Sequence, residues 1–550
     1  MTWLQLRMRH TGSAARLLLG LCCSFLATCA PAESTSDSDS DTDDAGSLFG
    51  DVGNGDGALH PDTGDTTVDD AGGSKDIPTG QTRLLLVGTL VTPAEHYAGE
   101  LLIVGANIAC AAPGTECEAK PEAAGAVRVE TQGLILPGLI DMHNHILFDI
   151  FDGDDWLPQK SYSDHTEWPK EARYAAMLDV KQCLENASQG KPTWCPAPYN
   201  SKEGNVKCEM DKWGELKGLV AGTTSIVGLA GTTSACFGSV ARTIDASQNG
   251  MGADKVQTSA LFPPATDAAD GVCKNFASGT TAAYLVHCGE GINGKAKNEF
   301  ATLNTVTTTD GCLLAPGTVI THGTAFDQNE FKQMADTGVK LTWSPASNVA
   351  LYGATTNVPA ALDAGVLVSL GPDWSMGGSQ NMLDELRFAD AWDNAHWNNR
   401  LSPQDLLQMA TVNAAKSLGL SDQLGQLKAG MLADIFVIDG DPTLPYDALL
   451  KATPAEVQLV LVGGQPLYGD AARQGLANNP QLCETTNMCG RSKFLCIALA
   501  DSSNKLGQKA SEIKAVLEQA MLDMDTATPT DGWNFAPLTQ MAKCTAPTTP

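Results

Sequence analysis

The run Pro137-Gly138-Leu139-Ile140-Asp141-Met142-His143-Asn144-His145 ends in two histidines separated by one residue. Side chains alternate along an extended strand, so both imidazoles face the same way and can share a metal ion. One such pair is weak evidence. The chain holds nine histidines, however, and two others also close apolar runs: His287 after Tyr284-Leu285-Val286, and His322 after Thr318-Val319-Ile320-Thr321. An aspartate follows the same rule, since Leu367-Val368-Ser369-Leu370-Gly371-Pro372 leads into Asp373-Trp374-Ser375. Imidazoles and a carboxylate converging from the ends of parallel strands make a site for a divalent metal that activates water. His10, His60, His96, His165 and His396 lack that placement and read as surface or structural residues.

The elements that must position these groups are legible as a pattern. Short apolar runs alternate with helical stretches through the middle of the chain, the signature of repeated βα units. Runs at 134–141, 223–229, 256–262, 283–287, 318–322, 339–343 and 366–371 would end at one face, and an eighth is expected around 238–244. Further strand-like runs lie before them, at 83–88, 100–104 and 127–131, and after them, at 435–438 and 457–462. The predicted fold is therefore α/β: a (β/α)8 TIM-type barrel over 136–424, inserted into a small β-sandwich built from 81–135 and 425–470. Residues 151–215 interrupt the barrel with a polar, aromatic insertion holding Trp156, Tyr162, Trp168, Trp194 and Trp213. Such a loop is either a lid over the site or a disulfide-pinned surface excursion. Residues 471–550 form an extension with one helix at 511–524, whose apolar face carries Ile513, Val516, Leu517, Ala520 and Met521. Trp343, Asn348, Tyr352 and Trp374 lie at or beyond the last two barrel runs and are expected to line the substrate pocket.

Residues 1–29 place Arg7, Arg9 and Arg16 before an apolar run at 17–27, the anatomy of an export signal too short to span a membrane. It ends in Leu26-Ala27-Thr28-Cys29, which resembles a lipobox and makes Cys29 a candidate lipidation site; plain cleavage near Ala32 is the alternative. The protein is thus expected in the cell envelope as a lipid-anchored lipoprotein, or else periplasmic or secreted. Residues 30–80 read as a disordered acidic tether, with thirteen acidic side chains against one lysine between Glu33 and Asp76. The whole chain carries a formal charge of −29, which repels nucleic acid and anionic membrane surfaces. A small-molecule substrate remains as the expected partner, with membrane contact only through the anchor. Sixteen cysteines in an exported chain imply disulfides, with Cys110–Cys117 and Cys483–Cys489 as close pairs and a free thiol at Cys288 or Cys236.

Taken in order, PGLIDMHNH, HCGEG at 287–291, THG at 321–323, SPASN at 344–348, LGPDWS at 370–375 and LGQLKAGMLADIFVID at 424–439 resemble the amidohydrolase superfamily, in its cytosine deaminase and chlorotriazine hydrolase-like branch. The resemblance spans about residues 83–465 and implies a (β/α)8 barrel flanked by a β-sandwich, as the strand pattern does independently. It also implies that His143, His145, His287 and Asp373 bind metal, that Glu290 shuttles a proton to substrate, and that His322 orients water and steadies an oxyanion. Asp373 would accept the proton of the attacking water. Binuclear relatives add a carboxylated lysine at a middle strand end; Lys255, the nearby lysine, precedes its strand, so one metal is expected. Zinc suits three histidines and an aspartate, and iron or manganese are further candidates. The expected chemistry is hydrolysis or deamination at an amidine-like carbon of a heterocycle. Amide or lactone hydrolysis at the same site is the second reading, and a noncatalytic ligand-binding lipoprotein a third.

Overall fold

The structure is a computed structural model that describes residues 83–201, 203–228, 240–245, 255–499, 505–529 and 534–544; the expected export signal, Cys29, the acidic tether and Cys236 lie outside these. Four strands come first: β1 (Arg83–Val91), β2 (His96–Val104), β3 (Asn107–Pro113) and β4 (Val127–Pro137). Eight short ones follow: β5 (Leu139–Asp141), β6 (Thr223–Ile226), β7 (Arg242–Thr243), β8 (Val256–Ser259), β9 (Ala283–Cys288), β10 (Thr318–His322), β11 (Lys340–Trp343) and β12 (Val368–Leu370). The last are β13 (Ile435–Ile438), β14 (Val457–Val462), β15 (Gln465–Asp470), β16 (Glu484–Met488) and β17 (Arg491–Leu495).

The first and last groups make one nine-stranded sheet, in the order β16-β17-β15-β14-β13-β4-β1-β2-β3. The expected sandwich is therefore a single continuous sheet. Its arms nevertheless share a core, because Leu84, Leu86, Leu101 and Ile103 from one arm pack with Ile435, Val437, Leu459 and Leu461 from the other. Their spacing of two along each strand puts them on one face. Ile108 N donates to Met431 O and Ala433 N to Ala106 O, stitching the β2–β3 end to the far arm. The β16–β17 hairpin extends the sheet beyond residue 470. Its sequence, Glu-Thr-Thr-Asn-Met and Arg-Ser-Lys-Phe-Leu, lacks the apolar run by which the other strands were legible. Disulfides Cys483–Cys496 and Cys489–Cys544 hold it, in place of the expected Cys483–Cys489 link. The expected Cys110–Cys117 bridge is formed.

The middle group is parallel throughout, as a three-stranded sheet β5-β6-β7 and a five-stranded sheet β12-β11-β10-β9-β8. Beyond β5 the chain joins the two: Met142 N donates to Leu370 O at 3.2 Å and Asp373 N to His143 O at 2.8 Å, with a parallel bridge between Asn144 and Asp373. Eight parallel strands thus run side by side as β7-β6-β5-β12-β11-β10-β9-β8. All six residues of β9 are buried, the behaviour of a strand covered on both faces. The expected first run, 134–141, is divided at Gly138, its earlier part pairing with β13 and its later part with β6. A Cβ on Gly138 would meet Thr224 Oγ1 at 2.1 Å, so the crossing between sheets needs glycine.

The insertion folds into the helices Ala172–Leu184 and Lys207–Leu219, the second running past the expected boundary at 215. Cys183–Cys195 pins its loop. The C-terminal helix Ala510–Ala527 packs on the second of these helices and buries Ile513, Leu517, Ala520, Met521 and Met524. Among the described residues, no helix is long and apolar enough to cross a membrane.

Candidate active site

β5 and the turn after it deliver His143 and His145, β9 delivers His287, β10 delivers His322, and the residue three past β12 delivers Asp373. Their ring nitrogens meet: His287 Nε2 stands 3.1 Å from His143 Nε2 and 3.2 Å from His145 Nε2. Asp373 Oδ1 lies 3.4 Å from both His143 Nε2 and His145 Nε2. Metal-ligand atoms of His143, His145 and Asp373, and of His143, His287 and His322, fall within 4.8 Å of one another. Donors 2.0–2.1 Å from a tetrahedral zinc ion would sit about 3.3 Å apart, so these spacings fit one ion.

The hydrogen bonds on the far side of each ring decide which nitrogen faces inward. His287 Nδ1 lies 3.2 Å from the Ser259 carbonyl, an acceptor only, so Nδ1 carries the proton and Nε2 keeps its lone pair. His143 Nδ1 meets Ser344 Oγ at 3.0 Å, a hydroxyl able to accept its proton and leave Nε2 facing inward with a lone pair. His322 Nδ1 meets Asn348 Oδ1 at 2.9 Å, while Asn348 Nδ2 is directed at the hydroxyls of Thr355 and Thr356. Burial, followed by the neighbouring imidazoles, pushes His143 and His145 well below the ordinary histidine range and His287 down to about 4. All three are therefore neutral near pH 7. Burial, then Glu290, pushes the Asp373 carboxyl well above its ordinary range. Three inward lone pairs and a carboxyl whose ionisation is opposed by burial are a donor set that a cation completes.

Glu290 sits at the other side of His322, with Oε2 3.7 Å from His322 Nε2. Tyr352 OH donates to Glu290 Oε1 at 2.6 Å and accepts from Trp168 Nε1 at 3.0 Å. Burial alone raises the Glu290 carboxyl, but His322, His165, His287 and the Tyr352 hydroxyl outweigh it and leave it below the usual range. His322 and Asp373 have φ of 73° and 74°, a left-handed conformation rare for such residues and typical of functional sites. The backbone is fixed there by Thr356 Oγ1 donating to His322 O and His145 N donating to Asp373 O, each at 2.6 Å.

A cavity of about 20 Å³ opens beside these groups, with Trp168, His165, Ala260 and Trp374 completing its wall. That volume accommodates a water molecule and little else. Of the four expected pocket residues, Trp374 is on the wall. Trp343 is fully buried and bonds Thr355 through Nε1; Asn348 holds His322; Tyr352 holds Glu290. Lys255 precedes β8, at the end opposite the histidines. His165, expected to be a bland residue of the insertion, borders the cavity. No spacing signal could have found it, since it lies on an irregular loop.

Residues 221–467 match the profile of the amidohydrolase family. A 5-methylthioadenosine/S-adenosylhomocysteine deaminase from Symbiobacterium thermophilum is 26% identical over 431 residues, covering 70% of this chain and 94% of that protein. One of the same name from Syntrophobacter fumaroxidans is 34% identical over 132 residues, 23% of this chain and 30% of its own length. Among solved structures, an atrazine chlorohydrolase from Arthrobacter aurescens TC1 complexed with zinc aligns over 70% of this chain and 95% of its own, with TM-score 0.52 and 18% identity. Over residues 221–467 the chain is similar to the amidohydrolase family.

Proposed function

We propose that this protein is a metal-dependent hydrolase that removes an amino or comparable group from an amidine-like carbon of a heterocycle. The observation that carries the reading is the convergence of His143, His145 and His287 Nε2 with Asp373 Oδ1, opposite Glu290 and His322. Those first four residues hold one divalent ion, zinc by ligand type, with iron or manganese as other ions the set accepts. A bound ion there supplies hydroxide near neutral pH. Asp373, whose Oδ1 faces His143 Nε2 and His145 Nε2, is placed to take the proton of the attacking water. Glu290 starts as an anion, so it receives a proton before passing one to a ring nitrogen or leaving group. His322, anchored through Nδ1, turns Nε2 toward the water and becomes a donor to the developing oxyanion once protonated. Names of relatives include deaminases of adenosine-like compounds and a chlorohydrolase, which supports a heterocyclic substrate.

The parallel strands are read as a closed barrel: the two ends of the eight-strand row approach where Thr258 Oγ1 comes within 3.5 Å of Asp245 Oδ2. Five disulfides with both partners described accord with export to an oxidising compartment, and Cys29 as a lipid anchor belongs to the same proposal.

Elemental analysis of purified protein tests the core of this reading. About one metal per chain, lost in His143→Ala and Asp373→Ala, together with ammonia release from adenosine, 5-methylthioadenosine, cytosine or guanine, is the expected result. Carboxylate release from amides or lactones instead would move the reading to that chemistry. A folded protein that takes up no metal would overturn it.

A further inference from the structure

The insertion supplies a histidine to the cavity wall that the water-activating site does not use. His165 Nε2 lies 2.7 Å from Glu299 Oε1, with side chains only 15% and 9% exposed. Glu299 is committed on its other oxygen, which accepts Gly289 N at 2.7 Å. It therefore ties His165 to the same loop that carries Glu290. The tie is reinforced by the backbone: His165 N donates to Glu290 O at 3.2 Å, Ile292 N donates to Ser163 O at 2.8 Å, and Asp164 and Gly291 form an antiparallel bridge. Asn293 Nδ2 donates to Asp164 Oδ2 at 2.8 Å. The ring is thus as firmly placed relative to Glu290 as a residue on a strand would be.

Glu299 occupies one ring nitrogen. Among the described residues none bonds the other, Nδ1, and the ring borders the cavity. The charged neighbours are Glu299, Glu290 and Asp164, with His287 across the cavity and Lys295 3.6 Å from Asp164. Burial opposes an imidazolium, but the hydrogen bond to Glu299 and the charges of Glu290, Glu299 and Asp164 outweigh it and raise the affinity of the ring for a proton, which makes Nδ1 a donor on a ring that borders the cavity.

We propose that His165 is a specificity-determining residue that donates from Nδ1 to an acceptor atom of the substrate, an oxygen or an unprotonated ring nitrogen near the carbon being hydrolysed. The proposal rests on the hydrolase reading above for its substrate class, and on the His165–Glu299 pair for its geometry. It follows that the heterocycle must carry a second acceptor besides the atom protonated by Glu290. Because the cavity as it stands holds about one water, a part of its wall other than the bonded His165 segment, such as Trp374, also has to yield on entry.

The test uses zinc-loaded full-length protein and ammonia release from adenosine, 5-methylthioadenosine, cytosine and guanine. For any that turns over, His165→Leu and Glu299→Gln are expected to raise KM about tenfold or more with a much smaller change in kcat and unchanged zinc content, while His165→Gln, which keeps a donor, recovers part of the loss. Unchanged KM in His165→Leu, or an equal fall of kcat in all three variants, would overturn the proposal. The second measurement needs no substrate. In histidine-15N-labelled zinc protein at neutral pH, both ring nitrogens of His165 are expected to be protonated, and Glu299→Gln to shift the ring to the neutral form; a neutral ring in the unsubstituted protein refutes the donor role. Absence of ammonia from every probe would count against the hydrolase reading, with the ring spectrum still deciding the state of His165.

Discussion

Removing a hydroxyl that touches no metal should weaken metal binding. Ser344 Oγ, fully buried, is the hydrogen-bond partner of His143 Nδ1 at 3.0 Å, and His143 is 2% exposed. Ser344→Ala deletes one oxygen, adds no bulk, and leaves that nitrogen without a partner or water. The ring must then either keep an unsatisfied N–H or move the proton to Nε2, where it blocks ligation. Leaving a buried donor unpaired costs about 1–3 kcal/mol, and 1.36 kcal/mol is a decade in affinity, so zinc should bind about 5- to 150-fold more weakly. Losses of 10- to 100-fold are usual when the outer partner of a ligating histidine is removed. Competition between the protein and a chromogenic zinc chelator reads this directly. Ser344→Thr, which retains the hydroxyl, should stay near the unsubstituted protein, and His143→Ala should lose the ion. If Ser344→Ala binds zinc within about twofold of the unsubstituted protein while His143→Ala does not, the idea that Ser344 fixes the imidazole is wrong.

Three further outcomes are expected. Asn348→Ala frees His322 Nδ1 without touching the converging donors, so turnover should fall by about 10- to 100-fold while metal content measured on the same sample stays constant; joint loss of both would assign His322 to the ion instead. Tyr352→Phe removes the 2.6 Å bond to Glu290 and the acceptor of Trp168 Nε1, and should lower kcat/KM by about tenfold or more and raise the Glu290 pKa, moving the limb of the pH profile that Glu290 governs upward. An unmoved profile would contradict the assignment of that limb to Glu290. Glu385, fully buried beside Ser379 and Ala346 N, has its carboxyl raised by burial to about 8. Since the folded state then holds a proton that the unfolded chain releases near 4.5, stability from this group is present in acid and lost as pH rises toward 8. Thermal unfolding of Glu385→Gln should accordingly decline less between pH 6 and 9 than that of the unsubstituted protein; parallel curves would refute the shift.

What the sequence alone determined is local. Alternation along a strand is a property of the covalent chain, so His143 and His145 had to share a face wherever the strand went. Apolar runs such as Thr318–His322 and Ala283–Cys288 mark strands buried on both faces without reference to their neighbours, and at or next to their ends stand the histidines that meet, His322 and His287. The family motifs extend this, because they record positions rather than contacts. What tertiary structure decided is everything that depends on two distant segments arriving together. Ser344, Asn348 and Tyr352 carry no mark in the sequence of the ring or carboxylate they hold, and two of them were expected to face substrate. The pairing of Cys483 with Cys496 and of Cys489 with Cys544 depends on the register of the β16–β17 hairpin, which its polar composition conceals. His165 reaches the cavity because an irregular loop bonds backbone to backbone with residues 290–292, and such bonds can form with any side chains. Periodicity reports which face of an element is buried; it is blind to which side chain from another element is on the other side.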